Sequence, residues 1–210
     1  MTGDDDGADL ELRAALDEFR RLGAAVAAAA AERELRVATE RRSGPAQLRR
    51  TFMFTDIVGS TVLAEALGDT AWERLLRWHD DMLRAVIAAH AGEVVNSTGD
   101  GFFVAFEASR PAVECAVAIQ QSLRDHREQT GFALGVRIGL HAAEASRRGD
   151  DYSGVGVHVA ARVSALAGGG EILATGEVFD EAADVARTDE REVTVKGVSR
   201  PVRVALLDWT

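Results

Sequence analysis

The chain has 210 residues, 47% hydrophobic and 28% charged, with one cysteine, and its 24 Lys and Arg against 34 Asp and Glu give a formal net charge of −10. That composition is globular and long enough for one domain plus an appendage. It carries no basic stripe for nucleic acid, and the lone Cys115 excludes a disulfide framework or a Cys-rich zinc site. The longest apolar stretch, Gly23–Ala31, has nine residues, about half of a membrane span, and no signal peptide is legible. The expectation is a cytoplasmic protein with neither a nucleic-acid nor a membrane partner.

Two regions differ in composition. Residues 1–48 read as an acidic segment and a helix with a linker, and residues 49–210 as a folded domain. Seven acids against Arg13 in the first 18 residues make the opening read as disordered. A helix is expected from Ala8 to Arg42, because Leu12, Leu16, Phe19, Gly23, Val26 and Ala30 fall on one stripe. That stripe serves either to pack on the domain or to form a short dimerising coiled coil. Ser43-Gly44-Pro45 breaks it.

The second region opens with a strand, Arg50–Asp56, followed by helices from Ser60 and over Thr70–Ala91. Glu93–Asn96 and Phe102–Phe106 read as a hairpin. Pro111 opens a helix with a stripe of Ala112, Cys115, Ala116, Ile119 and Leu123. Phe132–His141 alternates as a strand with one core face. A helix over Val155–Ala167 ends at Gly168-Gly169-Gly170, and Glu171–Ala174, Glu192–Lys196 and Val202–Leu206 read as further strands. The fold class is α+β, a mostly antiparallel sheet covered by helices.

Three segments carry candidate chemistry. In Phe54-Thr55-Asp56-Ile57-Val58-Gly59-Ser60-Thr61 an acid ends a strand and a Gly-Ser-Thr turn opens a helix. Backbone N–H groups at a helix start hold phosphate oxygens, and a carboxylate beside them suits the magnesium that accompanies phosphates. The plainer alternative is a strand end with Ser60 or Thr61 as N-cap. In Asn96-Ser97-Thr98-Gly99-Asp100-Gly101 an acid sits in a tight hairpin. Asp favours turns for local reasons, but a second carboxylate on a strand that pairs with the first would complete a two-metal site. In Asp150–Arg162, His158 and Arg162 are four apart and share a helix face. An arginine there either stabilises charge on a phosphoryl group or is a surface residue paired with an acid.

Together, in this order, these segments resemble the catalytic domain of class III adenylate/guanylate cyclases, over residues 49–208. The resemblance implies that Asp56 and Asp100, with the Ile57 carbonyl, hold two Mg2+ or Mn2+ ions. It implies that Phe54 and the Gly59, Ser60, Thr61 turn surround the triphosphate, that Arg137 and Lys196 contact phosphates, and that Arg162 stabilises the transition state. Asn96 and Asp151 would read the purine, and His158 would orient the ribose. The implied reaction joins the ribose 3′-oxygen to the α-phosphorus and expels pyrophosphate. The implied assembly is a homodimer with two shared sites, one subunit giving the metal acids and its partner the base readers and the arginine.

Two positions depart from the commonest family pattern, since Asn96 stands where lysine is usual and His158 where asparagine is usual. Ionised Asp151 only accepts hydrogen bonds, so it suits the adenine N6 donor and opposes guanine O6. Asn96 can present either end of its amide. The expected substrate is therefore ATP. The alternatives are mixed ATP/GTP use or a degenerate nucleotide-binding regulatory module. No Gly-Gly-Asp/Glu-Glu-Phe string of a diguanylate cyclase is present. Cys115 and the remaining histidines read as structural.

Overall fold

Strand β1, Gln47–Ile57, sets the frame. Successive side chains of a strand point to opposite faces. In the computed structural model, Phe52 and Phe54 of β1 accordingly join one apolar cluster while Met53 and Ile57 join another. The structure describes residues 47–209 and, ahead of them, Ala14, Leu16, Arg21 and Glu32, which are helical. The rest of the expected Ala8–Arg42 helix, its seam and the Ser43-Gly44-Pro45 break lie outside the described residues. The chain divides into two units, Met1–Ala46 and Gln47–Thr210, and the elements below belong to the second.

After β1 come α1 (Ser60–Leu67), α2 (Asp69–Ala89), β2 (Glu93–Thr98), β3 (Gly101–Phe106), α3 (Ser109–Thr130), β4 (Val136–Arg148), β5 (Asp151–Ser153), α4 (Val155–Leu166), β6 (Ile172–Thr175), α5 (Gly176–Glu181), β7 (Arg187–Val193) and β8 (Val202–Leu207). They build one eight-stranded sheet in the order β2-β3-β1-β4-β6-β8-β7, with β5 paired to β4. Every pairing is antiparallel except β4 with β6, so the mostly antiparallel expectation holds.

Helices cover both faces. His79, Leu83 and Ile87 of α2 are buried at helical spacing. The α3 stripe of Ala112, Cys115, Ala116, Ile119 and Leu123 is buried as expected, against Met53, Val104, Ile138 and Leu140. Truncating one such large core side chain to alanine costs about 2–5 kcal/mol. Burial also pushes the Cys115 thiol up to about 12, which keeps it inert. On the opposite face α4 supplies Val159, Ala160 and Val163 to clusters with Phe52, Phe103, Leu173 and Val204.

Four local expectations are corrected. The strand expected at Phe132–His141 begins only at Val136 and runs on to Arg148. Val136 pairs with Ile57, the last residue of β1, so residues 132–135 have no strand beside them, and Phe132 is 42% exposed. The strand expected at Glu192–Lys196 is Arg187–Val193, an edge strand whose mostly exposed side chains give no alternating signal. The N-cap of α1 is Gly59, at φ 70° and without a side-chain cap bond, not Ser60 or Thr61. Strand β5 and the short helix α5 were not expected.

Candidate active site

Alternation along β1 puts Asp56 on the same face as Phe54 and α4. Register then chooses its neighbours. Asp56 stands directly opposite Arg137 of β4, and Phe54 stands between Phe103 of β3 and Gly139 of β4. The Phe54 and Phe103 rings stack with centroids 4.5 Å apart. The β2–β3 turn brings the second acid. A Cβ placed on Gly101 would lie 2.8 Å from the Thr55 carbonyl oxygen and 3.8 Å from Asp56 Oδ1. Only glycine therefore lets the hairpin close onto β1 and carry Asp100 to the side of Asp56.

Phe54, Asp56, Asn96, Asp100 and Arg137 line one cavity of about 370 Å³. Phe103, Ala161, Ser164 and Ala165 also border it, beside Thr55, Gly101 and Phe102. Sequence reasoning missed the first four. The alternation of β3 and the i, i+3, i+4 spacing on α4 were the available signals. Asp100 also borders a neighbouring depression with Ser60 and Thr61 at the start of α1. One chain thus brings the two acids to one cavity and sets Asp100, not Asp56, beside the start of α1.

Arg137 does not stand free. Its Nε donates to Asp56 Oδ2 at 2.9 Å, its Nη2 donates to the same oxygen, and its Nη1 donates to the Ala165 carbonyl at 3.4 Å. Helix α4 is held over the site by close backbone approach. A Cβ on Gly139 would fall 2.2 Å from the Ser164 nitrogen, and the Ser164 hydroxyl donates to the Phe54 carbonyl at 3.2 Å.

The second group of expected residues lies elsewhere. His158, Arg162 and Lys196 line a separate cavity of about 210 Å³ with Val155 and Gly197. Ala161 and Ala165 of α4 line the cavity of the acids, whereas His158 and Arg162 line this other hollow. Asp151 is exposed on β5 and accepts the Tyr152 N–H at 2.8 Å. One chain therefore brings together the two acids, Asn96, Phe54 and Arg137, so Asn96 lies with the acids of its own chain, whereas the expected division of the site gave it to the partner. It gathers His158, Arg162 and Lys196 separately, and leaves Asp151 apart from both sets.

Beneath the hairpin, α2 supplies polar support that the sequence did not advertise. Arg84 donates to Asp80 at 2.7 Å and to the Ser97 hydroxyl at 3.1 Å, and its guanidinium lies 5.1 Å from the Phe102 ring centre. His79 is buried beside Phe102, and its Nε2 has no hydrogen-bond partner. Burial pushes its pKa down to about 4, against the opposing pull of Asp80 and Asp100.

The oxygen donors suit a hard divalent cation, since Mg2+ is held by one or two carboxylates plus substrate phosphates and water. Asp56 and Asp100, which share one cavity, match that description. Among the described residues no cluster of three or more His, Cys, Asp or Glu offers an all-protein cage, so substrate oxygens would have to complete the coordination.

Comparison with known proteins shows the family and the fold. Residues 48–207 match the adenylate and guanylate cyclase catalytic domain family. A protein of Rhizobium meliloti (strain 1021), provisionally named adenylate cyclase 3, is 33% identical over 162 residues, covering 74% of this chain and 27% of the relative. The chain thus spans about a quarter of that curated relative. The crystal structure of the guanylyl cyclase Cya2 superposes with a TM-score of 0.71 at 26% identity, covering 78% of this chain and 93% of the other. The adenylyl cyclase CyaB from P. aeruginosa superposes with a TM-score of 0.69 at 24% identity, covering 78% and 95%, a likeness of fold.

Proposed function

Because this chain belongs to the adenylate and guanylate cyclase catalytic domain family, we propose that it converts ATP to 3′,5′-cyclic AMP and pyrophosphate, in a homodimer with two shared sites. The observation that carries the reading is the convergence of Asp56 and Asp100, 44 residues apart in the chain, on one cavity of about 370 Å³ bordered by α4.

Asp56, Asp100 and the Ile57 carbonyl would hold two Mg2+ or Mn2+ ions, which supply charge neutralisation of the triphosphate and acidification of the ribose 3′-hydroxyl. The remaining work falls to the chain. The Gly59–Thr61 turn offers backbone N–H groups at the start of α1 to phosphate oxygens. Asn96 and Asp151 read the purine edge, with Asp151 accepting from adenine N6. His158 orients the ribose, Arg162 meets charge growing on the α-phosphoryl group, and Lys196 holds phosphate. His158, Arg162 and Lys196 open onto their own hollow, separate from Asp56 and Asp100. That separation supports a site completed by a second copy of the chain.

The test is purified chain incubated with ATP or GTP and Mg2+ or Mn2+, assayed for cyclic nucleotide. Cyclic AMP should form from ATP with either ion, faster than cyclic GMP from GTP, and Asp56→Asn should abolish it. No cyclic product under any combination would favour a nucleotide-binding regulatory module, and cyclic GMP as the main product would reverse the substrate assignment.

A further inference from the structure

Asp56 and Arg137 face each other across β1 and β4, and each side chain is about one third exposed, 34% and 30%. Two nitrogens of the guanidinium converge on one carboxylate oxygen, Oδ2. Arg137 is also the only cationic side chain among the described residues that line this cavity. The positive charge beside the two acids is thus supplied by the protein itself.

We propose that Arg137 is an exchangeable stand-in for a divalent cation: it neutralises Asp56 until a nucleotide triphosphate arrives, then moves to the anion and yields the carboxylate to the cation. Cation and nucleotide consequently bind cooperatively. This rests on the reading of Asp56 and Asp100 as cation ligands.

The electrostatics favour exchange over independent binding. A cation entering alone must displace the guanidinium, and leaves it half-buried without an anion. A triphosphate entering alone meets two carboxylates. When both enter, one ion pair is replaced by two, and no charge is left uncompensated. A planar guanidinium suits the role because its fork fits carboxylate and phosphate alike. By linkage, whatever the nucleotide gives to cation affinity the cation gives back to nucleotide affinity. The Nη1 contact to the Ala165 carbonyl would break in the same motion, which ties the exchange to the helix that carries Arg162.

The experiment is Mn2+ binding to the full chain without nucleotide, read from the electron paramagnetic resonance of the free ion. Arg137→Gln should bind Mn2+ about tenfold more tightly than the native chain. Arg137→Met should do the same and serves if the first variant unfolds, whereas Arg137→Lys, which keeps the charge, should stay near the native affinity. With a non-cyclisable ATP analogue present, the advantage of Arg137→Gln should vanish. Unchanged or weaker Mn2+ binding by Arg137→Gln and Arg137→Met would overturn the exchange. Tight binding that persists in the double variant Arg137→Gln, Asp56→Asn would overturn instead the assignment of Asp56 as a cation ligand, and the exchange with it.

Discussion

At the scale of single residues, His79 shows how the support of the site sets its tolerance of acid. The imidazole is 1% exposed and its Nε2 lacks a partner. Desolvation therefore holds its pKa near 4 in the folded chain, against the ordinary 6.5 of the unfolded one. Between those values the unfolded chain binds the extra proton, so stability is complete above about pH 6.5 and falls as the pH drops toward 4. At pH 4.5 the loss from this one group is about 2–3 kcal/mol. Denaturant unfolding of the native chain and of His79→Leu at pH 7 and pH 4.5 checks this. The native chain should lose about 2 kcal/mol more than the variant, and parallel losses would show that His79 is not held neutral.

At the scale of elements, the packing of α4 on β4 fixes which of its faces meets the acids. Gly139 lies under Ser164, and a Cβ there would meet backbone at 2.2 and 2.4 Å. Backbone cannot swing aside as a flexible side-chain tip can. Gly139→Ala should therefore lift α4 and cost about 1–3 kcal/mol in denaturant unfolding, with a disproportionate fall in cyclase activity. Native stability in this variant would mean that the helix has slack over the sheet.

The same elements show what could be read from sequence and what could not. The β1, α2, β2–β3 and α3 segments have strong periodicity and clear turn chemistry, and they form close to where those signals put them. Acids 56 and 100 were each legible locally, one at a strand end and one in a hairpin turn, and their pairing was implied by the family resemblance. Register was not legible. That Asp56 falls opposite Arg137, and that Arg137 spends its guanidinium on Asp56, follows from how β1 and β4 align. Edge strand β7 was misplaced because its side chains are mostly exposed on both faces, so burial left no imprint on the sequence. The contacts of His79 and Arg84 with the hairpin cross from α2 to β2 and β3, a tertiary proximity that no spacing encodes.

At the scale of the whole molecule, one chain opens two separate hollows along α4. One carries Asp56, Asp100 and Asn96, and the other His158, Arg162 and Lys196. Exposed Val155, 65% accessible at the start of α4, borders the second. A two-fold assembly would give each hollow its complement twice over, and a monomer would be inactive. Asp100→Ala and Arg162→Ala should each be inactive alone for opposite reasons, one lacking a cation ligand and the other the group that meets the transition state.

The most direct measurement is therefore cyclic nucleotide formation by an equimolar mixture of those two variants after subunit exchange. Half of the dimers would be mixed and each would hold one whole site, so about a quarter of native activity should return. No recovery, with mixed dimers demonstrated by size and tag capture, would contradict a site divided between two copies of the chain.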